Sequence, residues 1–226
     1  MRLIFWTFAD GGSSGYLRYN KSLQELSQEY DFYFLCSGNR GNKLVRKHFR
    51  AQVLPCENNI QEKSQLLLKH FQMLSSFRGV QDDDVLVKID LDAVLFDLPE
   101  LVRRIKKNIK PESIMGNYRE QFVTNDQGDR EVSLSYVRGA CQAMPISTVK
   151  KVSFECDDRY GISDFDIPFC EQVQNRGIKL IDCPLFEINN KYTYTHPVWH
   201  PDKKARRKVP QFSRHCHLYD EIKKNA

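Results

Sequence analysis

Three nearly uninterrupted apolar runs dominate the first ninety residues: Leu3-Ile4-Phe5-Trp6-Thr7-Phe8, Phe32-Tyr33-Phe34-Leu35-Cys36 and Val85-Leu86-Val87-Lys88-Ile89. A strand with one face in water alternates apolar and polar residues, whereas a run with no polar face must be covered on both sides. That is the condition of a strand inside a parallel sheet with helices on each face. The first run ends at Asp10-Gly11-Gly12 and the second at Ser37-Gly38-Asn39, residues that break a strand. Between the runs lie helical patterns. Tyr16 to Tyr30 carries Leu17, Leu23 and Leu26, and Asn59 to Ser76 gathers Leu66, Leu67, Leu68, Phe71 and Leu74 on one side. Gln52-Val53-Leu54 reads as a short further strand. Strands and helices in alternation predict an α/β fold with a mostly parallel central sheet flanked by helices.

Farther along, Leu98 to Lys107 is predicted helical with Pro99 in its first turn. Ser133 to Met144 reads as extended and Ile146 to Val152 as a short helix. Asp166 to Asn175 is a helix stopped by Gly177, and Ile178 to Ile181 and Tyr192 to Thr195 are strands. The chain shows no internal repeat and no low-complexity linker, so the expectation is one domain over residues 1–200. Residues 201–226 form a basic C-terminal tail packed on it or extending from it. Gly11, Gly12 and Gly15 do not make a G-x-G-x-x-G turn, which disfavours a dinucleotide site.

Composition removes other classes. With 41% hydrophobic residues in 226 the chain can bury a core, yet no stretch approaches the ~20 apolar residues of a membrane span. Met1 to Ala9 lacks a signal peptide's cleavage pattern and reads as a strand. Seven cysteines, an odd number with no C-x-x-C pair, argue against a zinc ribbon or disulfide framework. They point to a reducing compartment, hence a cytoplasmic protein: a bacterial or viral soluble enzyme, or an excised domain. The pair His215 and His217 beside Cys216 reads as tail rather than as zinc ligands. Of the net charge of +5, the run Lys203-Lys204-Ala205-Arg206-Arg207-Lys208 alone supplies five positive charges. Such a run is a solvated surface, or it attracts the phosphates of a small donor or of a membrane surface, with peripheral contact at most through residues 203–208. No basic face with interleaved aromatics extends beyond it, so nucleic acid is not an expected partner.

The chemistry is expected where the third run ends. In open α/β sheets ligands gather beyond the carboxyl ends of the strands, and Val85 to Ile89 delivers Asp90-Leu91-Asp92 to such an end. Residues two apart on an extended segment share a face, so both carboxylates can address one cation. A hard divalent ion takes oxygen ligands and binds diphosphate oxygens as well. Asp-x-Asp also suits a simple turn or helix cap; the strand before it and the helix after it favour the cation.

Asp84 to Phe96, followed by Leu98-Pro99-Glu100-Leu101-Val102, resembles the DxD block of GT-A fold glycosyltransferases. It is most similar to the β-galactosyltransferase-like inverting branch, where a lysine precedes the acidic triplet and a helix follows. Tyr136 to Ser147 is similar to that family's glycine-bearing strand along the sugar pocket, with Gly139-Ala140 where two glycines are common. Ser163-Asp164-Phe165-Asp166-Ile167-Pro168 resembles the acidic block that opens a helix, and Asp166 keeps the family's spacing of eleven residues to Gly177. Phe165-Asp166 replaces the usual Glu-Asp pair, so Asp164 and Asp166 both remain candidates.

The resemblance implies a single GT-A (Rossmann-like) domain that moves a sugar from a nucleotide-diphosphate donor, UDP-linked by family habit, to a hydroxyl of a glycan or other acceptor, with inversion. It implies Mn²⁺ or Mg²⁺ held by Asp92, with Asp90 as its donor-side companion and His196 as a further ligand; His200 follows four residues later. Lys88 and Gly139 fall on donor-binding positions, and Thr7, Phe8, Asp10, Ser37 and Arg40 surround the nucleotide. Asp166, or Asp164, takes the general-base role that an inverting transfer requires. Three other readings stand beside this one. A haloacid-dehalogenase-type phosphatase would use Asp90 as its nucleophile, but would carry that motif on the first strand. The others are a nucleotidyltransferase and a non-catalytic nucleotide-sugar-binding module.

Overall fold

The computed structural model describes residues 1–9, 14–37, 39–56, 79–124, 130–152, 166–187, 196–200, 216–221 and 223–224. Its central sheet has seven strands: β1 (Leu3–Ala9), β2 (Asp31–Ser37), β3 (Gln52–Cys56), β4 (Val85–Ile89), β6 (Ser113–Thr124), β7 (Arg130–Pro145) and β8 (Lys179–Asp182). They lie in the order β3-β2-β1-β4-β7-β6-β8. The first four are mutually parallel, β7 runs antiparallel to β4 and β6, and β8 returns parallel to β6. A second, three-stranded sheet joins β5 (Val94–Leu95), β10 (Val198–Trp199) and β9 (Phe186–Glu187), in that order.

Both faces of the large sheet are covered, as the apolar runs require. The helices are α1 (Ser14–Tyr19), α2 (Lys21–Glu29), α3 (Asn39–His48), α4 (Leu98–Asn108), α5 (Ile146–Lys151) and α6 (Asp166–Asn175). Alternate residues of β1, β2 and β4 (Leu3, Phe5, Phe32, Phe34, Val85 and Val87) pack with Leu23 and Leu26 of α2 and Leu101 and Ile105 of α4. The intervening residues Ile4, Trp6, Tyr33, Leu35 and Leu86 pack with Val149 of α5 and Cys170 and Val173 of α6. The period of two distributes one continuous run to two cores. Cys36, Cys141, Cys170, Cys183 and Cys216 are buried thiols that form no disulfide. No helix among the described residues is long and apolar enough to cross a membrane.

The structure departs from the sequence reading in several places. The helix expected over Tyr16 to Tyr30 is broken at Asn20, whose backbone leaves helical geometry (φ −80°, ψ 77°) while its side chain accepts from the Leu23 amide. Asparagine competes with the helix for backbone donors and so starts a new one. Helix α3 and strand β6 fall where no element was expected, and the extended stretch Ser133 to Met144 is the middle of the longer β7, paired with β6. Residues 216–221 of the basic tail are helical, and Cys216 and Tyr219 pack on Val94 and Trp199 of the small sheet. Gly177 ends α6 at φ +74°, the left-handed cap position that favours glycine. The helix expected at Asn59 to Ser76 and the strand at Tyr192 to Thr195 lie outside the described residues.

Candidate metal centre

In the large sheet β2 and β3 lie on one side of β1 and β4 on the other. The order of connection reverses between β1 and β4, and the crevice beyond their carboxyl ends is the place where such sheets bind ligands. Asp90 is the first residue past β4. Its amide donates to the Ala140 carbonyl of β7 at 2.9 Å, and the Ala93 amide donates back to the Asp90 carbonyl at 3.0 Å. A tight turn thus holds Asp90 and Asp92 at the sheet's end.

The chain then enters β5, and β5 recruits a distant partner. β10 pairs antiparallel with it, Val198 opposite Leu95 and Trp199 opposite Val94. The amides of Phe96 and Asp97 both donate to the Pro197 carbonyl, at 2.9 and 3.2 Å. On its other side β10 runs parallel to β9, and the His200 amide donates to the Glu187 carbonyl at 3.0 Å. One step beyond Trp199, this register sets His200 beside the acidic turn. Its Nε2 lies 3.2 Å from Asp90 Oδ2 and 3.3 Å from Asp92 Oδ1. The ligand atoms of Asp90, Asp92 and His200 all lie within 4.8 Å of one another. The imidazole is buried, edge-on to Phe186 at 6.0 Å, while the Asp90 and Asp92 side chains keep 25% and 14% of their surface exposed.

Lys88 gives the pair its asymmetry. Its ammonium is buried and donates to Asp90 Oδ1 at 2.7 Å and to the Gly139 carbonyl. Asp90 is therefore held by Lys88 through one oxygen and directed at His200 through the other. Burial alone would raise the Asp90 carboxyl pKa, but the Lys88 charge and the His200 ring outweigh it and hold the group well below the usual carboxylate range. Burial would likewise lower the His200 pKa, and the hydrogen bonds and charges of Asp90 and Asp92 overcome that, raising it above its ordinary 6.5. With His200 neutral, two carboxylates against one ammonium leave one net negative charge. Two carboxylate oxygens and one imidazole nitrogen suit a divalent cation, and three protein ligands leave coordination positions for phosphate oxygens and water.

Of the residues expected at the site, Asp90, Asp92, Lys88 and Gly139 come together. His196 does not join them: its Nδ1 lies 3.9 Å from Glu187 Oε2, and the histidine at the aspartates is His200. Both histidines flank β10, so only the pairing register separates them. Thr7 is buried in β1 with its hydroxyl unpaired, and Phe8 packs edge-on against Trp6 at 5.2 Å. Ser37 ends β2, Arg40 lies in the first turn of α3, and Asp166 is the first residue of α6. Asp10 and Asp164 lie outside the described residues.

Two further residues touch the acidic turn without any expectation from sequence. The buried amide of Asn20 donates to the carbonyls of Leu91 and Ala93, at 2.9 and 2.6 Å, and the Ser22 hydroxyl accepts from the Leu95 amide at 3.0 Å. The available signal was Asn20-Lys21-Ser22-Leu23 ahead of an amphipathic stretch, a helix-start pattern that sequence alone cannot link to the turn seventy residues on.

No protein-family model and no curated protein matches the chain. Solved structures do. A 4-diphosphocytidyl-2C-methyl-D-erythritol synthase superposes with a TM-score of 0.55 at 10% identity, over 94% of this chain and 99% of that one. The synthase of the same name from Anaerococcus prevotii gives 0.52 at 8% identity, over 95% and 98%. At such identities the likeness is one of fold: a Rossmann-like α/β sheet of the GT-A kind.

Proposed function

We propose that the chain is a metal-dependent glycosyltransferase that moves a sugar from a nucleotide-diphosphate sugar, UDP-linked, to a hydroxyl of a glycan or other acceptor with inversion. One observation carries the reading: a histidine from far along the chain is brought onto the Asp-x-Asp turn at the carboxyl end of a central strand. This is the arrangement that the resembled transferase family uses to hold a donor diphosphate. A bound Mn²⁺ or Mg²⁺ would neutralise the departing nucleoside diphosphate as a Lewis acid. In this reading Asp92 and His200 hold the cation, Asp90 shares it while pinned by Lys88, and Gly139 lies along the donor. Thr7, Phe8, Asp10, Ser37 and Arg40 are the nucleotide-side residues in this reading. Asp166, or Asp164 before it, accepts the acceptor hydroxyl's proton as that oxygen attacks the anomeric carbon.

A second reading is nucleotidyl transfer. It draws support from the superposed synthases, which are named for a diphosphocytidyl product. The same cation site would there serve a nucleoside triphosphate, with pyrophosphate leaving. A phosphatase with Asp90 as nucleophile fits less well, because Asp90 follows the fourth strand and both of its oxygens are engaged by cationic or ring partners.

The deciding experiment is a thermal-shift screen of nucleotide sugars with and without Mn²⁺, paired with assays for UDP and pyrophosphate release. Ligands that bind the native state raise its melting temperature by mass action. The expected result is a Mn²⁺-linked shift with a UDP-sugar, lost in Asp92→Asn, and UDP release with acceptor. Pyrophosphate release from a nucleoside triphosphate, with no shift for any nucleotide sugar, replaces the first reading by the second. Hydrolysis of an aryl phosphate that vanishes in Asp90→Asn would sink both.

A further inference from the structure

The acidic turn is gripped from behind by a buried polar knot. Asn20 is wholly buried at the junction of α1 and α2. Its Nδ2 donates to the Leu91 and Ala93 carbonyls, and its Oδ1 accepts from the Ser22 hydroxyl at 2.7 Å and the Leu23 amide at 3.3 Å. The amide's orientation follows from these partners, since backbone carbonyls only accept and a backbone N–H only donates. The Ser22 hydroxyl, in turn, accepts from the Leu95 amide. Leu91 and Ala93 are the two neighbours of Asp92, so one side chain holds the carbonyls of both residues that flank it. Capping α2 needs only the oxygen of Asn20; its two donors are spent on the turn.

We infer that Asn20 is a positioning residue for the cation site, which fixes the Leu91–Asp92 and Ala93–Val94 peptide planes of the turn so that the Asp92 carboxylate meets the Asp90 carboxylate and the His200 imidazole at bonding distance. The inference rests on the cation-site part of the proposed function. A ligand held by an ordered outer partner loses on the order of 10–100-fold in metal affinity when that partner is removed.

Asn20→Ser separates the two roles of the residue. Serine caps a helix about as well as asparagine, but it is too short to reach the turn. The measurement is a titration with Mn²⁺ alone, reading free ion by electron paramagnetic resonance, at a temperature where circular dichroism shows parent and variant fully folded. The expected result is a Mn²⁺ Kd raised at least about tenfold, with UDP affinity restored by excess Mn²⁺. A folded Asn20→Ser protein with the parent's Kd overturns the inference and leaves the proposed function standing. Should Asn20→Ser fail to fold, Ser22→Ala decides: it keeps Asn20 but removes one restraint on its amide and the acceptor of Leu95. A smaller rise in Kd supports the inference, and an unchanged Kd overturns it. A parent that binds Mn²⁺ but no nucleotide or nucleotide sugar overturns the proposed function while the positioning role survives; a parent that binds no Mn²⁺ overturns both.

Discussion

The two sheets of this protein are built on opposite terms. The seven-stranded sheet is made of strands of four to sixteen residues, and its central strands β1, β2 and β4 are buried on both faces. The three-stranded sheet consists of strands of two residues each. The first has the buried area to hold itself together; the second exists because the first puts its pieces side by side. The candidate cation site needs both, since the carboxylates follow β4 and the imidazole follows β10. A ligand set can thus be divided between a rigid scaffold and a small, conditional one, and the conditional part should fail first.

The largest effects should come from cutting one buried ring in each sheet. Phe34 of β2 and Trp199 of β10 are both fully buried, and either residue changed to alanine is expected to cost about 3–5 kcal/mol by denaturant unfolding. Phe34→Ala should retain the Mn²⁺ affinity of its folded fraction, whereas Trp199→Ala should lose it by disturbing the register that places His200. Equal metal affinity in the two variants would erase the distinction drawn above. Next in size, Asp92→Asn should lower turnover by more than about 100-fold, in line with several kcal/mol of metal-ion catalysis, with a far smaller change in stability. UDP release and chemical denaturation measure the two sides.

A pH series sharpens the same contrast. Because the His200 pKa is raised in the folded, metal-free protein, its protonation favours folding. That stabilisation is full below about 6.5 and is lost as pH rises through the folded-state value. The metal-free parent should therefore lose more stability across that rise than His200→Gln does. Metal binding should show the reverse slope, weakening by up to about tenfold per pH unit below the raised pKa as protons compete for Nε2. Parallel slopes in melting temperature and in Mn²⁺ affinity would break the link between them.

Smaller effects mark the boundary of the site. Asp97 caps α4, accepting from the Glu100 amide at 2.9 Å, while its own amide holds the Pro197 carbonyl. Asp97→Ala should cost about 1 kcal/mol through the cap and leave Mn²⁺ affinity unchanged, because the contact to Pro197 is main chain. Least of all, Lys21→Ala removes an exposed pair with Asp220 of the C-terminal helical segment, at 2.8 Å. Such pairs contribute under about 1 kcal/mol, and a fall in metal affinity in this variant would show that the segment grips the small sheet through charge rather than through Tyr219 and Cys216.

What could be read from sequence follows the same division. β1, β2 and β4 announced themselves because burial on both faces demands continuous apolar runs, and Asp90 and Asp92 followed because β4 ends at them. β5, β9 and β10 left no trace, since two residues carry neither period nor length, and their pairing joins parts of the chain far apart. His200 was therefore inseparable from His196 in sequence: a shift of register along β10 would exchange them. Helix α3 was overlooked because its Asn39-Arg40-Gly41-Asn42 opening and basic end hide a short apolar side made by Leu44 and Val45. Asn20 lies inside the single helix expected over Tyr16 to Tyr30; that it breaks the helix and that its two donors reach Leu91 and Ala93 is knowledge only the fold supplies.

The pairing of β5 with β10 also orders the site in time. Asp90 and His200 are separated by 110 residues, and contacts of such span form late because the chain between them must first be confined. During synthesis at about 5–20 residues per second, the aspartates leave the ribosome on the order of 5–20 s before the histidine. Through that interval the nascent chain carries both aspartates of the site but not the His200 imidazole. In the proposed function, cation capture would therefore wait until the distant segment arrives, and metal uptake would report completed folding of the site.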